Sequence, residues 1–289
     1  MAYQVLLFYK YVTIEDPAAL AAHVRALAEE QGLLGRALIA EEGINATLEG
    51  TGEATEAFVQ ALCADVRFAD MSVKRSAGTG AAFEMLVVKV REQIVGTKFP
   101  KEKVDPRRRT APRISAEELR RWFETDEDFT IVDMRNDYEY ASGHFAGSVN
   151  PGLEHSRDLP LVLPKLAHLK GKKVLTVCTG GVRCESMSAY LMNEGFEEVY
   201  QLENGMHGYM EKYPGQDFLG TLYTFDRRKT MDFGGTREVV GRCVRCGVPA
   251  ETYLNCANDF CHLHFIACAE CQAPEGTFCS SMCTEAGTN

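Results

Sequence analysis

The sequence predicts an α/β chain in three parts: a small α+β sandwich, a parallel α/β domain and a cysteine-rich metal module. Three observations carry this. Over residues 1–95 the strand and helix signals run in the order βαββαβ. Over 114–213 short buried strands alternate with helices, as in a parallel sheet with helices on its faces. Of the 11 cysteines, all but Cys63, Cys178 and Cys184 fall between Cys243 and Cys283. The length of 289 residues agrees, because domains run to roughly 100–200 residues each.

Composition narrows the function classes. A hydrophobic fraction of 45% and a charged fraction of 25% suffice for real cores. The 31 Lys+Arg against 41 Asp+Glu give a formal net charge of -10. That excludes a bulk polycation and leaves local basic patches open. No apolar run reaches the roughly 18 residues of a membrane span. The start, Met1 to Asp16, lacks a basic segment and a small-residue cleavage site, so a cytoplasmic protein is expected.

In the first part, Val5–Tyr11 reads as an apolar strand. Asp16 can cap a helix whose first position is Pro17. Leu20, Val24 and Leu27 give its inward stripe, and Gly32 stops it. Arg36–Ala40 and Asn45–Leu48 read as strands around Glu42-Gly43-Ile44. A second helix spans about 54–64 with Phe58, Val59 and Leu62 inward, and Val73–Arg75 and Met85–Val90 close the pattern. This order suggests a ferredoxin-like sandwich of acylphosphatase type over 1–95. Gly78-Thr79-Gly80 lacks the third glycine and the following helix of a dinucleotide loop, so that motif is discarded.

Residues 96–113 read as a basic linker, broken by Pro100, Pro106 and Pro112 and charged by Lys98, Lys101, Lys103 and Arg107-Arg108-Arg109. Such runs are usually solvated connectors; a phosphate-contacting patch is the sharper reading. In the central part, 114–213, Ser115 and Glu118 form a capping box before Leu119 and Trp122. Thr130–Val132, Lys173–Val177 and Glu198–Leu202 read as strands, and Ser186–Met192 as a helix stopped by Gly195. Residues 214–240 read as a polar, Gly-rich connector before the module at 241–284.

The segment Cys178-Thr179-Gly180-Gly181-Val182-Arg183-Cys184 places a cysteine at the C-terminal end of an apolar strand, then a Gly-rich turn, then a helix. Ligands of parallel sheets bind at this edge. A Gly-rich turn entering a helix points backbone N–H groups inward and favours negative charge. A Cys178 thiolate with lowered pKa and nucleophilic character is the predicted consequence; a buried structural cysteine is the alternative. Arg183 can add positive charge. Cys184 is either a resolving thiol for an oxidised or persulfidated Cys178 or a packing residue. Asp133 and Arg135 read as a supporting ion pair ahead of a pocket wall.

Cys178-x-x-Gly181-x-Arg183 resembles the active-site loop of rhodanese-type sulfurtransferases, and Asp133 to Asn150 is similar to that fold's other recognisable stretch. The resemblance implies a rhodanese-like domain over 114–213, with a persulfide on Cys178 cradled by the Thr179–Cys184 loop. It also implies a turn-shaping role for His144. The five-residue step from cysteine to arginine suits sulfur; related cysteine phosphatases have one residue more.

The remaining cysteines are spaced Cys243-x2-Cys246, Cys256-x4-Cys261, Cys268-x2-Cys271 and Cys279-x3-Cys283. Two pairs close a tetrahedral site of four thiolates, so two structural Zn2+ ions are expected, with an iron–sulfur cluster as the other thiolate chemistry. Crossed grouping is favoured: Cys243, Cys246, Cys268 and Cys271 in one site, Cys256, Cys261, Cys279 and Cys283 in the other. Sequential grouping is the alternative. His262 and His264 are expected to be spectators. About 44 residues bury too little to fold alone, so metal would supply the stability. Arg227, Arg228, Lys229, Arg242 and Arg245 make the approach to this module basic.

Taken together, Glu41 to Thr47, Cys178 to Glu185 and Asn255 to His262 resemble one family: the rhodanese-containing, oxygen-dependent tRNA uridine hydroxylases. The resemblance implies an oxidoreductase that acts on tRNA, with O2 as co-substrate, and installs 5-hydroxyuridine at the wobble position. Simple sulfur transfer from thiosulfate or a persulfide is the alternative. No flavin fingerprint, haem motif or facial metal triad is discernible, so the sequence assigns no further redox cofactor or electron donor.

Overall fold

The structure, a computed structural model, describes residues 2–261, 263–273 and 276–286. It opens with β1 (Tyr3–Tyr11), α1 (Pro17–Glu30), β2 (Leu34–Ala40), β3 (Gly43–Thr51), α2 (Gly52–Cys63), β4 (Val73–Ala77) and β5 (Leu86–Val90). Asp16 caps α1 by accepting from the Ala19 N–H at 2.9 Å. The strands lie in the order β4-β1-β3-β2-β5. Neighbours among the first four are antiparallel, as a βαββαβ sandwich requires, and β5 adds a fifth strand parallel to β2.

Alternation decides the two faces of this sheet. Leu6, Phe8, Ala37, Ile39, Ile44, Ala46 and Leu48 pack under the helices against Leu20, Val24, Phe58 and Leu62. The intervening residues, among them Leu7, Tyr9, Arg36, Leu38, Asn45 and Thr47, face the other way, into a cavity. Gly43 is dictated by this sheet: at φ 145°, an added Cβ would stand 1.9 Å from the Lys10 carbonyl oxygen. The Gly78-Thr79-Gly80 turn binds an internal anion. The buried Glu49 carboxylate accepts from the Thr79, Gly80 and Ala82 N–H groups at 2.7, 2.9 and 2.8 Å.

Residues 96–113 are fastened down, unlike a solvated connector. Phe99, Val104 and Ala111 sit in the core of the following domain, and Phe99 stacks on Tyr190 with centroids 4.6 Å apart. Arg107 reaches back to the Thr13 hydroxyl and the Glu41 carbonyl, each at 3.2 Å. Prolines and cations obscure three apolar anchors that follow no helical or strand period.

The central domain comprises β6 (Arg113–Ile114), α3 (Ala116–Glu124), β7 (Thr130–Asp133), α4 (Asp137–Ser142), β8 (Gly143–Phe145) and α5 (Leu159–Leu166). It continues with β9 (Lys173–Val177), α6 (Val182–Asn193), β10 (Glu198–Leu202) and α7 (Gly205–Lys212). Its sheet is parallel, in the order β6-β10-β9-β7. Asp133, at the end of β7, binds the Arg135 Nε at 2.9 Å and Nη2 at 2.6 Å, and Nη2 also donates to the Gly143 carbonyl at 2.6 Å. Both side chains are fully buried, and neither lines the cavity: they are a structural ion pair. Arg135→Met is expected to lower unfolding free energy by about 3–5 kcal/mol, because it strands the Asp133 charge. Urea unfolding at neutral pH measures this.

Residues 214–240 form β11 (Phe218–Gly220), paired with β8, and the ribbon β12 (Leu222–Tyr223) with β13 (Thr230–Met231). Strands this short show no periodicity, so the segment reads as a connector in sequence. It crosses to the first sheet, where Arg228 Nη1 donates to Ser76 Oγ at 2.9 Å and to the Ala77 carbonyl at 2.8 Å. The final module holds β14 (Tyr253–Asn255), β15 (His264–Ile266) and α8 (Ser281–Ala286). No described helix is long and apolar enough to cross a membrane.

Candidate active site

Strand β9 is buried and ends at Val177, so the chain must turn at Cys178 to reach α6. Gly181 makes the turn in the left-handed region, at φ 98°, and α6 then begins at Val182, four residues before the helix read from sequence. The whole loop therefore wraps the start of a helix. The Gly181 N–H donates to Cys178 Sγ at 3.2 Å. The loop is held from behind by the start of α7. The Met206 and His207 N–H groups donate to the carbonyls of Cys178 and Thr179 at 2.9 and 3.0 Å. Gly205 makes that approach possible: a Cβ there would stand 2.5 Å from the Cys178 carbonyl oxygen.

Burial alone would push the Cys178 thiol up. The Cys184 thiol, the Arg183 guanidinium and the backbone N–H groups of Cys184 and Arg183 outweigh it and draw the pKa down to about 6. Cys184 moves the other way, since burial and the neighbouring Cys178 hold it protonated. The two thiols are driven apart in pKa, Cys178 toward the thiolate and Cys184 toward the thiol. Cys184 is thus close enough to Cys178 for the two sulfurs to influence each other.

Arg183 is fixed by a residue whose role sequence reading missed. Its two terminal nitrogens bind both oxygens of the buried Glu139 on α4, with Nη2 to Oε2 at 2.8 Å. Glu185 is the second such residue. Buried in the first turn of α6, it accepts from Tyr9 Oη at 2.8 Å, Arg113 Nη2 at 2.6 Å and Gln201 Nε2 at 3.2 Å. Tyr9 belongs to the first domain, so this carboxylate ties the two domains beside the loop. Tyr11 adds a contact to Ser186 Oγ at 3.1 Å. His144 stacks on Tyr140 at 3.9 Å and contacts the Tyr140 carbonyl through Nδ1, away from the loop.

These contacts border a cleft-like cavity of about 280 Å³. Its floor is Cys178 with Thr179, Gly180, Val182 and Arg183; one wall is the open face of the first sheet; the other is the 224–231 ribbon with His207. Cys178 is buried at the floor of this space, among its lining residues. His207 is buried with its Nδ1 unpartnered. Burial, with Lys74 and Arg228 nearby, draws its pKa down to about 4, so the ring is neutral near pH 7. Lys74, buried on β4 and drawn down to about 8 chiefly by that burial, adds a cation on the thiolate side.

In the last module the cysteine sulfurs gather in two groups: Cys243, Cys246, Cys268 and Cys271, and Cys256, Cys261, Cys279 and Cys283. Within each, all lie within 4.8 Å of one another. A tetrahedral ion with bonds of about 2.3 Å to sulfur sets its ligands about 3.8 Å apart, so each group fits a four-thiolate metal ion. The grouping is the crossed one. His264 stacks on Tyr253 at 4.7 Å and takes no part; His262 lies outside the described residues. Tyr253 and His264 also pack on Tyr223, and Tyr223 on Phe225, whose ring lies 5.6 Å from the Arg183 guanidinium carbon. Aromatic packing thus runs from the module to the cavity.

Comparison with known proteins matches the same three parts. Residues 3–94 match the UPF0176 acylphosphatase like domain, 115–212 the rhodanese-like domain and 219–284 the rhodanase C-terminal family. A tRNA uridine(34) hydroxylase of Staphylococcus aureus is 40% identical over 99% of this chain and 90% of its own. Those of Bacillus velezensis and Cytophaga hutchinsonii are 40% and 38% identical, each over 97% of this chain and over 88% and 89% of their own. With kinship spanning the sandwich, the thiolate loop and the cysteine groups alike, the chain belongs to the tRNA uridine(34) hydroxylase family.

Proposed function

We propose that this protein hydroxylates the wobble uridine of tRNA to 5-hydroxyuridine in the cytoplasm, with O2 as co-substrate and Cys178 as the reactive thiolate. Thr179, Gly180, Gly181, Val182, Arg183 and Cys184 form its cradle. One observation carries the reading: Cys178 lines a cavity walled by the first domain and the 224–231 ribbon as well as its own loop. Delivery of sulfur to a small acceptor needs no such enclosure, whereas a nucleoside turned out of an anticodon loop does. The functional units are taken as 1–95, 114–213 and 241–284, joined by 96–113 and 214–240.

The two cysteine groups hold structural Zn2+. A site closed by four thiolates has no open position for water, so the ions stabilise the module and leave the chemistry to Cys178. Exposed Lys98, Lys103, Arg108, Arg109, Arg242 and Arg245 supply the local positive charge that an RNA phosphate path needs on a chain of net charge -10. Arg227 and Arg228 are spent on Glu84 and Asp226.

The alternative, rhodanese-type sulfur transfer through a Cys178 persulfide, is favoured by the sulfur-sized loop and its Gly181 N–H contact. Nucleoside analysis of tRNA from a deletion strain separates the two. Loss of 5-hydroxyuridine and its derivatives, restored by the wild-type gene and not by Cys178→Ala, supports hydroxylation. Unchanged tRNA with lost thiosulfate turnover supports sulfur transfer.

A further inference from the structure

The cavity has few groups still free to act. Arg183 is held by Glu139, Arg228 by Asp226, and the Asn45 Nδ2 by the Ile94 carbonyl. Groups still free include the Cys178 sulfur, the Asn45 Oδ1, the unpartnered Asn136 Oδ1 and His207 Nδ1, and Arg36, whose guanidinium has no carboxylate partner among the described residues. The apolar lining, Leu7, Leu38, Phe83 and Phe225, suits the faces of a flat ring. The volume of about 280 Å³ is at the small end for ligand pockets and is scaled to one nucleoside.

In uracil the site of conjugate addition is C6, joined through C5 to the C4 carbonyl. The one nucleophile on the floor of the cavity is a thiolate. We infer that Cys178 Sγ bonds covalently to C6 of the flipped uracil, and that the protein therefore exchanges the C5 hydrogen with water when oxygen is absent. This inference rests on the hydroxylase reading above and names what the thiolate does within it.

A sulfur lone pair forms the S–C6 bond, and the C5=C6 π pair moves onto C5 and O4, giving an enolate. Arg36, which lines the cavity without a carboxylate partner, meets the charge on O4. Without oxygen, C5 takes a proton from a group in exchange with water. The reverse elimination then removes either C5 hydrogen, restores the double bond and frees the thiolate. With oxygen, the enolate carbon gives its pair to O2, and the resulting C5 peroxide anion takes a proton from water to become a hydroperoxide. Two small-molecule thiols reduce the O–O bond, leave as a disulfide and release water. Loss of the C5 hydrogen and of Cys178 completes 5-hydroxyuridine. Uridine, O2 and two thiols thus give 5-hydroxyuridine, water and one disulfide, with no flavin or haem required.

The test uses the full chain with an anticodon stem-loop RNA bearing 5-deuterouridine at the wobble position. Under argon, wild type is expected to wash out deuterium at least about tenfold faster than Cys178→Ser, whose hydroxyl stays protonated. In air, the same RNA with 5-fluorouridine is expected to form a protein–RNA adduct that survives denaturation, because oxygen addition leaves no C5 hydrogen to eliminate. Peptide mapping should place the bond on Cys178 without an added sulfur, which also removes dependence on any variant's folding. Hydroxylation in air with deuterium fully retained under argon and no adduct at Cys178 would overturn the inference and leave the hydroxylase reading standing. Neither hydroxylation nor exchange would overturn both.

Discussion

Cys178→Ala should lose wobble-uridine hydroxylation by on the order of a thousandfold or more, the scale on which removal of a covalent nucleophile acts. Affinity for tRNA and thermal stability should stay close to wild type. The loop's shape is set by backbone contacts: Gly181 at positive φ, and the Cys178 and Thr179 carbonyls bound by the start of α7. None of these uses the sulfur. The substitution therefore removes one atom that carries charge and leaves its cradle. Quantifying 5-hydroxyuridine in purified tRNA after reaction in air, alongside a filter-binding curve, separates lost chemistry from lost binding. A fall in binding to match the fall in turnover would make Cys178 a structural residue.

Metal removal should have the second large effect. Among the described residues the module's buried core is Cys243, Cys256, Cys279, Phe265 and Ala267, with Tyr253 and Ile266 packed beside it, far too small to order the segment by apolar burial. Structural zinc contributes about 10–16 kcal/mol in comparable small modules. Purified protein is expected to carry about two zinc ions per chain, the number of four-thiolate groups. Chelation, or Cys256→Ser, is expected to open residues 241–284 to protease while the parallel α/β domain stays folded. Hydroxylation should fall with it, because Tyr253 and His264 brace Tyr223 and, through Phe225, the Arg183 side of the cavity. Protein that contains no metal and resists protease in this segment would refute the structural role.

What sequence reading reaches, and what it misses, follows from the range of the forces involved. Strands 173–177 and 198–202 are legible to the residue, because a buried strand between turn signals is a local pattern. The thiolate loop is legible for the same reason: strand, cysteine, glycines and helix are contiguous. The cysteine groups are legible because pairs two to four residues apart limit the options, though three-dimensional folding alone decides the crossed grouping.

The partners of the Cys178 loop are not legible. Glu139 lies 44 residues from Arg183, and Tyr9 lies 176 from Glu185. Each is an ordinary carboxylate or tyrosine until the sheets dock. His207 carries no motif, and Arg228 reads as part of a basic surface run until Asp226 and the first sheet claim it. The open face of the first sheet is hidden in plain alternation. Leu7, Tyr9 and Leu38 look like a second apolar face, and only the neighbouring domain turns that face into a cavity wall.

The most direct test is the pH dependence of alkylation at Cys178. Only the thiolate reacts, so the rate follows its fraction, low in acid and rising to a plateau as pH climbs through the pKa. Iodoacetamide labelling, read at the Cys178 peptide by mass spectrometry, should rise with a midpoint near 6 and be flat by mildly alkaline pH. A midpoint near that of a free cysteine, about 8.5, would contradict a thiolate held by the Cys184 thiol, Arg183 and the ring of peptide N–H groups.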